Sequence, residues 1–134
     1  MTRNLQRWML AIVCVGAPLF SACAAEHTKD SLQTVKENVT SDKAVLVDVR
    51  EKSEWDKGHV SGAVFLPLSE LNSGITAAAL QKRVPKDRIV YTHCAVGKRS
   101  LTAADVLLKQ GYDVRPLKAG YADLLRAGFE KAEK

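Results

Sequence analysis

Short apolar runs of β type alternate with amphipathic segments of helical period along most of this chain, and that alternation admits few folds. The β-type runs are Ala44 to Val49, Ala63 to Leu66, Arg88 to His93 and Asp113 to Leu117. Around them lie helix-patterned segments over about Asp30 to Val39, Glu51 to Lys57, Ser69 to Asn72, Thr76 to Arg83, Lys98 to Gln110 and Gly120 to Ala127. Strands separated by helices do not pair as hairpins. They call for a mostly parallel sheet with helices on both faces. The expectation is therefore an α/β domain built on a small sheet of about five strands.

Local signals support these elements. Asp30-Ser31-Leu32-Gln33 has the form of a capping box. The run Ala44 to Val49 is broken only by Asp48, which suits a strand buried on both faces. Trp55 is expected to face inward, with Gly58 stopping its helix and Pro67 ending a second buried strand. Thr76 is a candidate N-cap, Pro85 a terminator, and Gly111 the stop of the helix that starts at Lys98. On that last helix, Leu101, Ala104 and Leu108 are assigned to the buried face, widened by Ala103, Val106 and Leu107. The chain carries no internal repeat and no low-complexity linker.

The first 24 of the 134 residues read as a targeting segment. Arg3 and Arg7 precede an apolar stretch from Met9 to Phe20, and small residues follow at Ser21, Ala22, Ala24 and Ala25. An apolar stretch of about twelve residues is well short of the ~20 needed to cross a bilayer. Two cleavage patterns are present. Ala22-Cys23-Ala24 fits a signal ending before Ala25, the favoured reading, whereas Phe20-Ser21-Ala22-Cys23 resembles a lipoprotein box ending at residue 22. The expected product is a periplasmic or otherwise exported domain over residues 25–134, touching a membrane only if Cys23 is lipidated. Without Arg3 and Arg7, the 20 basic residues fall to 18 against 15 acidic ones, so the charge drops from +5 to about +3. That excess is too small and dispersed to argue for nucleic acid.

Of three cysteines, Cys14 lies in the apolar stretch and Cys23 at the cleavage region, which leaves Cys94 as the lone thiol of the processed domain. An unpaired thiol in an oxidising compartment is a liability unless it is buried or used. Its setting argues for use. The apolar run through Ile89, Val90 and Tyr91 stops at Cys94, and the loop Cys94-Ala95-Val96-Gly97-Lys98-Arg99-Ser100 leads into a helix. A strand-to-helix turn sits at the carboxyl edge of a parallel sheet, where the next helix presents unpaired N–H groups and its positive dipole end. Gly97 permits a tight path, successive N–H groups form an anion nest, and Lys98 and Arg99 add positive charge. Each feature favours an ionised, nucleophilic Cys94 acting on an anionic substrate.

Three blocks of the chain together resemble the single-domain rhodaneses, a family of sulfurtransferases. VLVDVREKSEWDKGHVSGAVFLPL, Val45 to Leu68, is similar to the family's strand-Asp-x-Arg…Gly-His-x-x-Gly-Ala…Pro-Leu block. CAVGKRS matches its Cys-x-x-Gly-x-Arg-Ser loop, and GYDVRPLKAGYADLLRAGF, Gly111 to Phe129, resembles its closing block. Ala119 stands where the first glycine of a Gly-Gly pair is usual, and Leu124 where tryptophan is usual. The resemblance implies the rhodanese fold and a sulfur atom carried on Cys94 as a persulfide, surrounded by the backbone of Ala95 to Arg99 and by Ser100. Arg99 with Lys98 would hold the sulfonate of a small anionic donor such as thiosulfate. Cyanide, a thiol or a protein would accept the sulfur, and the resemblance implies no metal and no organic cofactor.

Asp48 and Arg50, at the end of a strand, either line the pocket or form an ion pair tying loops together. His59 reads as a hydrogen-bonded structural histidine, and His93, one residue before Cys94, should point to the opposite face and brace the loop. Trp55, Phe65 and Tyr121 read as core or pocket wall. One rival is a cysteine phosphatase, because His93-Cys94…Arg99-Ser100 imitates a His-Cys-(five residues)-Arg phosphate loop. Here only four residues, Ala95 to Lys98, separate Cys94 from Arg99, which makes a smaller cradle. The other rival is a persulfide carrier or binding module for a protein partner, for which Lys82, Arg83 and Lys86 are a candidate face.

Overall fold

The computed structural model describes residues 23–134. Residues 1–22 of the expected targeting segment, including Arg3, Arg7 and Cys14, lie outside the described residues. In chain order the elements are α1 (Leu32–Thr40), β1 (Ala44–Asp48), α2 (Lys52–Lys57), β2 (Val64–Phe65), α3 (Leu68–Asn72), α4 (Ala77–Arg83), β3 (Ile89–His93), α5 (Lys98–Lys109), β4 (Val114–Pro116) and α6 (Tyr121–Arg126). The strands form one sheet in the order β2-β1-β3-β4, and every pairing is parallel. No helix among the described residues is long and apolar enough to cross a membrane.

Among the described residues the sheet has four strands where about five were expected. Thr28 donates its N–H to the Pro116 carbonyl at 2.8 Å, so the segment before α1 runs beside β4. Pro116 has no N–H of its own to extend that contact into a ladder. β2 is also shorter and less buried than its sequence suggested, because it is an edge strand with a single neighbour and both residues are half-exposed.

Alternation along the strands sends side chains to two cores. Val47, Val49, Val90 and Cys94 pack with Leu71, Leu80, Ala103, Ala104 and Leu107 under α3, α4 and α5. Ala44, Leu46 and Tyr91 pack on the other face with Val35, Leu117, Leu124 and Phe129 under α1 and α6. Adjacent residues His93 and Cys94 thus face opposite ways. The buried stripe of α5 is Ser100, Ala103, Ala104 and Leu107, a slightly rotated version of the expected face, and Leu108 is 41% exposed. Small residues on that stripe let the helix lie close to the sheet.

At α1 the cap is Ser31, whose Oγ accepts from the Thr34 N–H at 3.1 Å. Asp30 is committed elsewhere. It accepts from the Tyr91 hydroxyl at 2.6 Å and from Arg115 at 3.0 Å, and these bonds, Tyr91's first, hold its carboxyl below the usual range. Trp55 is half-buried, stacked on His59 at 3.5 Å and against Phe65 at 4.9 Å. His59 also donates from Nδ1 to the Trp55 carbonyl at 3.2 Å, as a structural histidine would.

Candidate active site

Cys94 follows the last residue of β3 and is fully buried. Backbone bonds fix it and the residue before it: Val49 N–H donates to the His93 carbonyl at 3.0 Å, and Tyr121 N–H to the Cys94 carbonyl at 2.9 Å. Gly97 N–H donates to Cys94 Sγ at 3.1 Å, which makes the loop curl back over the sulfur. Gly97 has φ of 83°, a left-handed conformation that favours glycine, and a Cβ there would meet the Lys118 carbonyl at 2.5 Å. A Cβ on Gly120 would sit only 1.7 Å from the Ala95 carbonyl. The segment Lys118 to Tyr121 therefore forms a close-fitting wall of the loop.

The expected loop residues divide into three groups. Ala95, Val96 and Lys98 are exposed, and the Val96 side chain is 78% exposed, so what Ala95 and Val96 can offer inward is backbone. Gly97 and Ser100 are buried. The Ser100 hydroxyl lies 2.8 Å from both the Gly97 and the Leu117 carbonyl, linking the loop to the end of β4.

Arg99 does not stand free beside the sulfur. Its two terminal nitrogens donate to both carboxylate oxygens of Glu54, at 2.7 and 2.8 Å. This fork holds the Glu54 carboxyl down at about 2, with the Glu51 N–H helping at 3.0 Å, and raises the Arg99 guanidinium further. Glu54 was not singled out in the sequence. Its only local signal is its place in the first turn of a short helix, and nothing there reveals that α2 faces the start of α5.

Asp48 and Arg50 are bonded to each other. Arg50 donates to the Asp48 carboxylate from Nε at 3.0 Å and from Nη2 at 2.7 Å, and its Nη2 also reaches the Gly58 carbonyl at 2.8 Å. The guanidinium lies 4.2 Å from the Tyr121 ring centroid. These contacts tie β1 to the turn after α2 and to α6, as the ion-pair alternative describes, on the face opposite Cys94. His93 lies on that face too. Its Nε2 is 3.6 Å from Asp48, and neither ring nitrogen has a hydrogen-bond partner. Burial lowers the pKa of His93, outweighing the pull of Asp48, which favours the neutral ring.

The remaining expectations are settled locally. Leu124, where tryptophan was usual, is fully buried among Leu46, Tyr91 and Phe129, away from the loop. Ala119 is half-buried between Lys118 and Gly120. The candidate basic face is partly consumed within the fold: Arg83 bonds Glu70 and the Phe65 carbonyl, and Lys86 donates to the Gln110 carbonyl at 2.7 Å. A concavity of about 490 Å³ over α1, lined by Gln33, Lys36, Glu37, Thr40 and Ser41, includes no residue of the Cys94 loop. Among the described residues no cluster of His, Cys, Asp and Glu could hold a metal ion.

Residues 31–127 match the family described as "Rhodanese-like domain". The chain belongs to the rhodanese-like family. Relatives of this rhodanese-like domain include MoeZ of Mycobacterium tuberculosis, named provisionally as an adenylyltransferase/sulfurtransferase. It is 40% identical over 70 residues, covering 52% of this chain and 17% of MoeZ. YrkF of Bacillus subtilis, named provisionally as a sulfur carrier protein, is 34% identical over 83 residues, covering 61% of this chain and 42% of YrkF. The chain thus spans less than half the length of either. Among solved structures, the human single domain sulfurtransferase TSTD1 is similar at a TM-score of 0.62 and 31% identity, covering 71% of this chain and 92% of that one.

Proposed function

We propose that this rhodanese-like domain is a sulfurtransferase in which Cys94 carries sulfane sulfur as a persulfide. The observation that carries the reading is the Gly97 N–H on Cys94 Sγ at 3.1 Å, inside a loop that ends at the N-terminus of the twelve-residue helix α5. An amide donor and a helix dipole both stabilise negative charge on sulfur. Names of the relatives, a sulfurtransferase and a sulfur carrier, support the same chemistry.

In the proposed cycle the Cys94 thiolate attacks the outer sulfur of thiosulfate, the S–S bond breaks with its electron pair leaving on sulfite, and Cys94 keeps the sulfur as a persulfide. A cyanide ion or a thiolate then attacks that sulfur and regenerates the Cys94 thiolate. Lys98, exposed at the first turn of α5, and the loop amides are the groups available to the sulfonate. Arg99, held by Glu54, adds its charge from the side and anchors the loop's end. A phosphatase reading would need that guanidinium to turn toward the loop, against a two-pronged bond to Glu54.

The test is intact-mass measurement of the protein before and after incubation with thiosulfate, beside Cys94→Ser. A gain of about 32 Da, absent in Cys94→Ser and reversed by cyanide with thiocyanate released, supports the reading. Absence of the gain with thiosulfate and with polysulfide overturns it. The name of YrkF favours a second reading, a carrier that hands sulfur to a protein. Persulfide that forms but resists cyanide and small thiols would favour the carrier.

Export is proposed on a separate observation. The Ala25 nitrogen lies 2.7 Å from Asp105 Oδ1. Cleavage before Ala25 would turn that amide into an ammonium group already placed against a carboxylate. The untreated intact mass tests this: a start at Ala25 supports it, a lipidated Cys23 supports export by the other cleavage, and a retained N-terminus rejects export.

A further inference from the structure

The segment before α1 crosses the active-site loop, and one of its side chains bonds that loop directly. His27 Nε2 lies 2.7 Å from the Gly97 carbonyl. A carbonyl only accepts, so Nε2 carries the proton and donates. The Ser100 hydroxyl is within 2.8 Å of the same carbonyl and of the Leu117 carbonyl, yet it has one proton to give. His27 supplies the second donor. With it in place, Gly97 and Leu117 are both satisfied at once; without it, one buried carbonyl competes with the other for Ser100.

Gly97 is the residue on which the cradle turns. Its N–H is spent on Cys94 Sγ and its carbonyl on His27, so the backbone is held on both sides of one left-handed residue. Across the trans peptide to Lys98, the Lys98 N–H points opposite to the Gly97 carbonyl, hence away from His27, as one of the first unpaired amides of α5. Fixing the carbonyl fixes that amide. The strap bearing His27 is itself anchored at Ala25 on Asp105, at Thr28 on Pro116 and at Asp30 on Tyr91 and Arg115.

We propose that His27 is a positioning residue that holds the amide cradle closed over Cys94 through the Gly97 carbonyl. This rests on the reading of Cys94 as the sulfur-carrying thiol. The completely buried sulfur gives the idea its readout, since a cradle released from His27 exposes Cys94 more often and shelters a persulfide less well.

The experiment compares His27→Ala and His27→Gln with the unsubstituted protein. Gln places an N–H donor near the position of Nε2. The expectation for His27→Ala is Cys94 alkylation by iodoacetamide faster by about five- to tenfold, the population change that losing one ordinary hydrogen bond permits, with a persulfide shortened in lifetime by a similar factor. His27→Gln should return both toward the unsubstituted values. A merely structural role would move the unfolding midpoint and leave alkylation well below that midpoint unchanged. Alkylation of His27→Ala at the unsubstituted rate, or His27→Gln behaving like His27→Ala, overturns the proposal. Alkylation needs no sulfur donor, so its result stands even if thiosulfate loads no sulfur, and the two readings fail separately.

Discussion

Arg99 and Glu54 face each other fork to fork, two parallel N–H···O contacts of 2.7 and 2.8 Å that join the first turn of α5 to α2. Arg99, expected to hold the donor together with Lys98, is bonded through both terminal nitrogens to Glu54 and so braces the end of the loop. Its partner's depressed ionisation sets the pH window in which the brace works. An unfolded glutamate ionises near 4.5, and folded Glu54 only near 2, so its contribution is complete above pH 4.5 and disappears as pH falls through 2. Glu54→Gln should cost about 1 kcal/mol at pH 7, since both partners are roughly one-third exposed. Urea denaturation from pH 7 to pH 2 should show that gap closing below pH 4.5. A gap that is constant across the range would contradict the assignment.

Gly120 gives the sharpest steric prediction. A methyl group there collides with the Ala95 carbonyl, so Gly120→Ala must push the Cys94 loop outward or strain the wall behind it. The expected cost is about 1–3 kcal/mol, with sulfur loading reduced at least tenfold. Gly74→Ala serves as the contrast, because no atom lies within 4 Å of its would-be Cβ and only the positive φ opposes it. That substitution should cost about 1 kcal/mol and leave loading intact. Equal loading in the two variants would remove the Lys118–Tyr121 wall from the site.

The buried Asp48–Arg50 pair should matter for folding and not for chemistry. Asp48→Asn leaves the Arg50 guanidinium buried beside a neutral amide and should destabilise by about 3–5 kcal/mol. Protein that remains folded should load sulfur at the unsubstituted rate per folded molecule. A loading defect in fully folded Asp48→Asn would instead place the pair in the pocket.

His93 should make the domain acid-sensitive. Unfolded, it takes up a proton near its ordinary value of 6.5; folded, burial resists that proton, so stability falls as pH drops below 6.5. His93→Phe removes the group. The stability difference between His93→Phe and the unsubstituted protein, measured by chemical denaturation, should shift in favour of the variant between pH 7.5 and pH 5. A pH-independent difference would mean that His93 is not the acid-sensitive group.

Much of this was already written in the order of the residues. Periodicity of two and of three to four is a local property, so the alternation of strands and helices, the parallel sheet and the position of Cys94 at a strand end could be read without coordinates. The glycine demanded at Gly97 and the opposite facing of His93 and Cys94 follow from the same local geometry. The partners of those residues do not. Glu54 meets Arg99 across 45 positions and His27 meets Gly97 across 70, distances at which side-chain spacing carries no signal. Which of two apolar stripes α5 buries, whether Arg50 pairs inward or faces a pocket, and how tightly Gly120 presses on Ala95 depend on how elements pack once the sheet is formed. Packing is a sum over contacts distant in the chain, so only the tertiary structure decided that the thiol is held beneath its loop, with Arg99 bonded to a glutamate of α2.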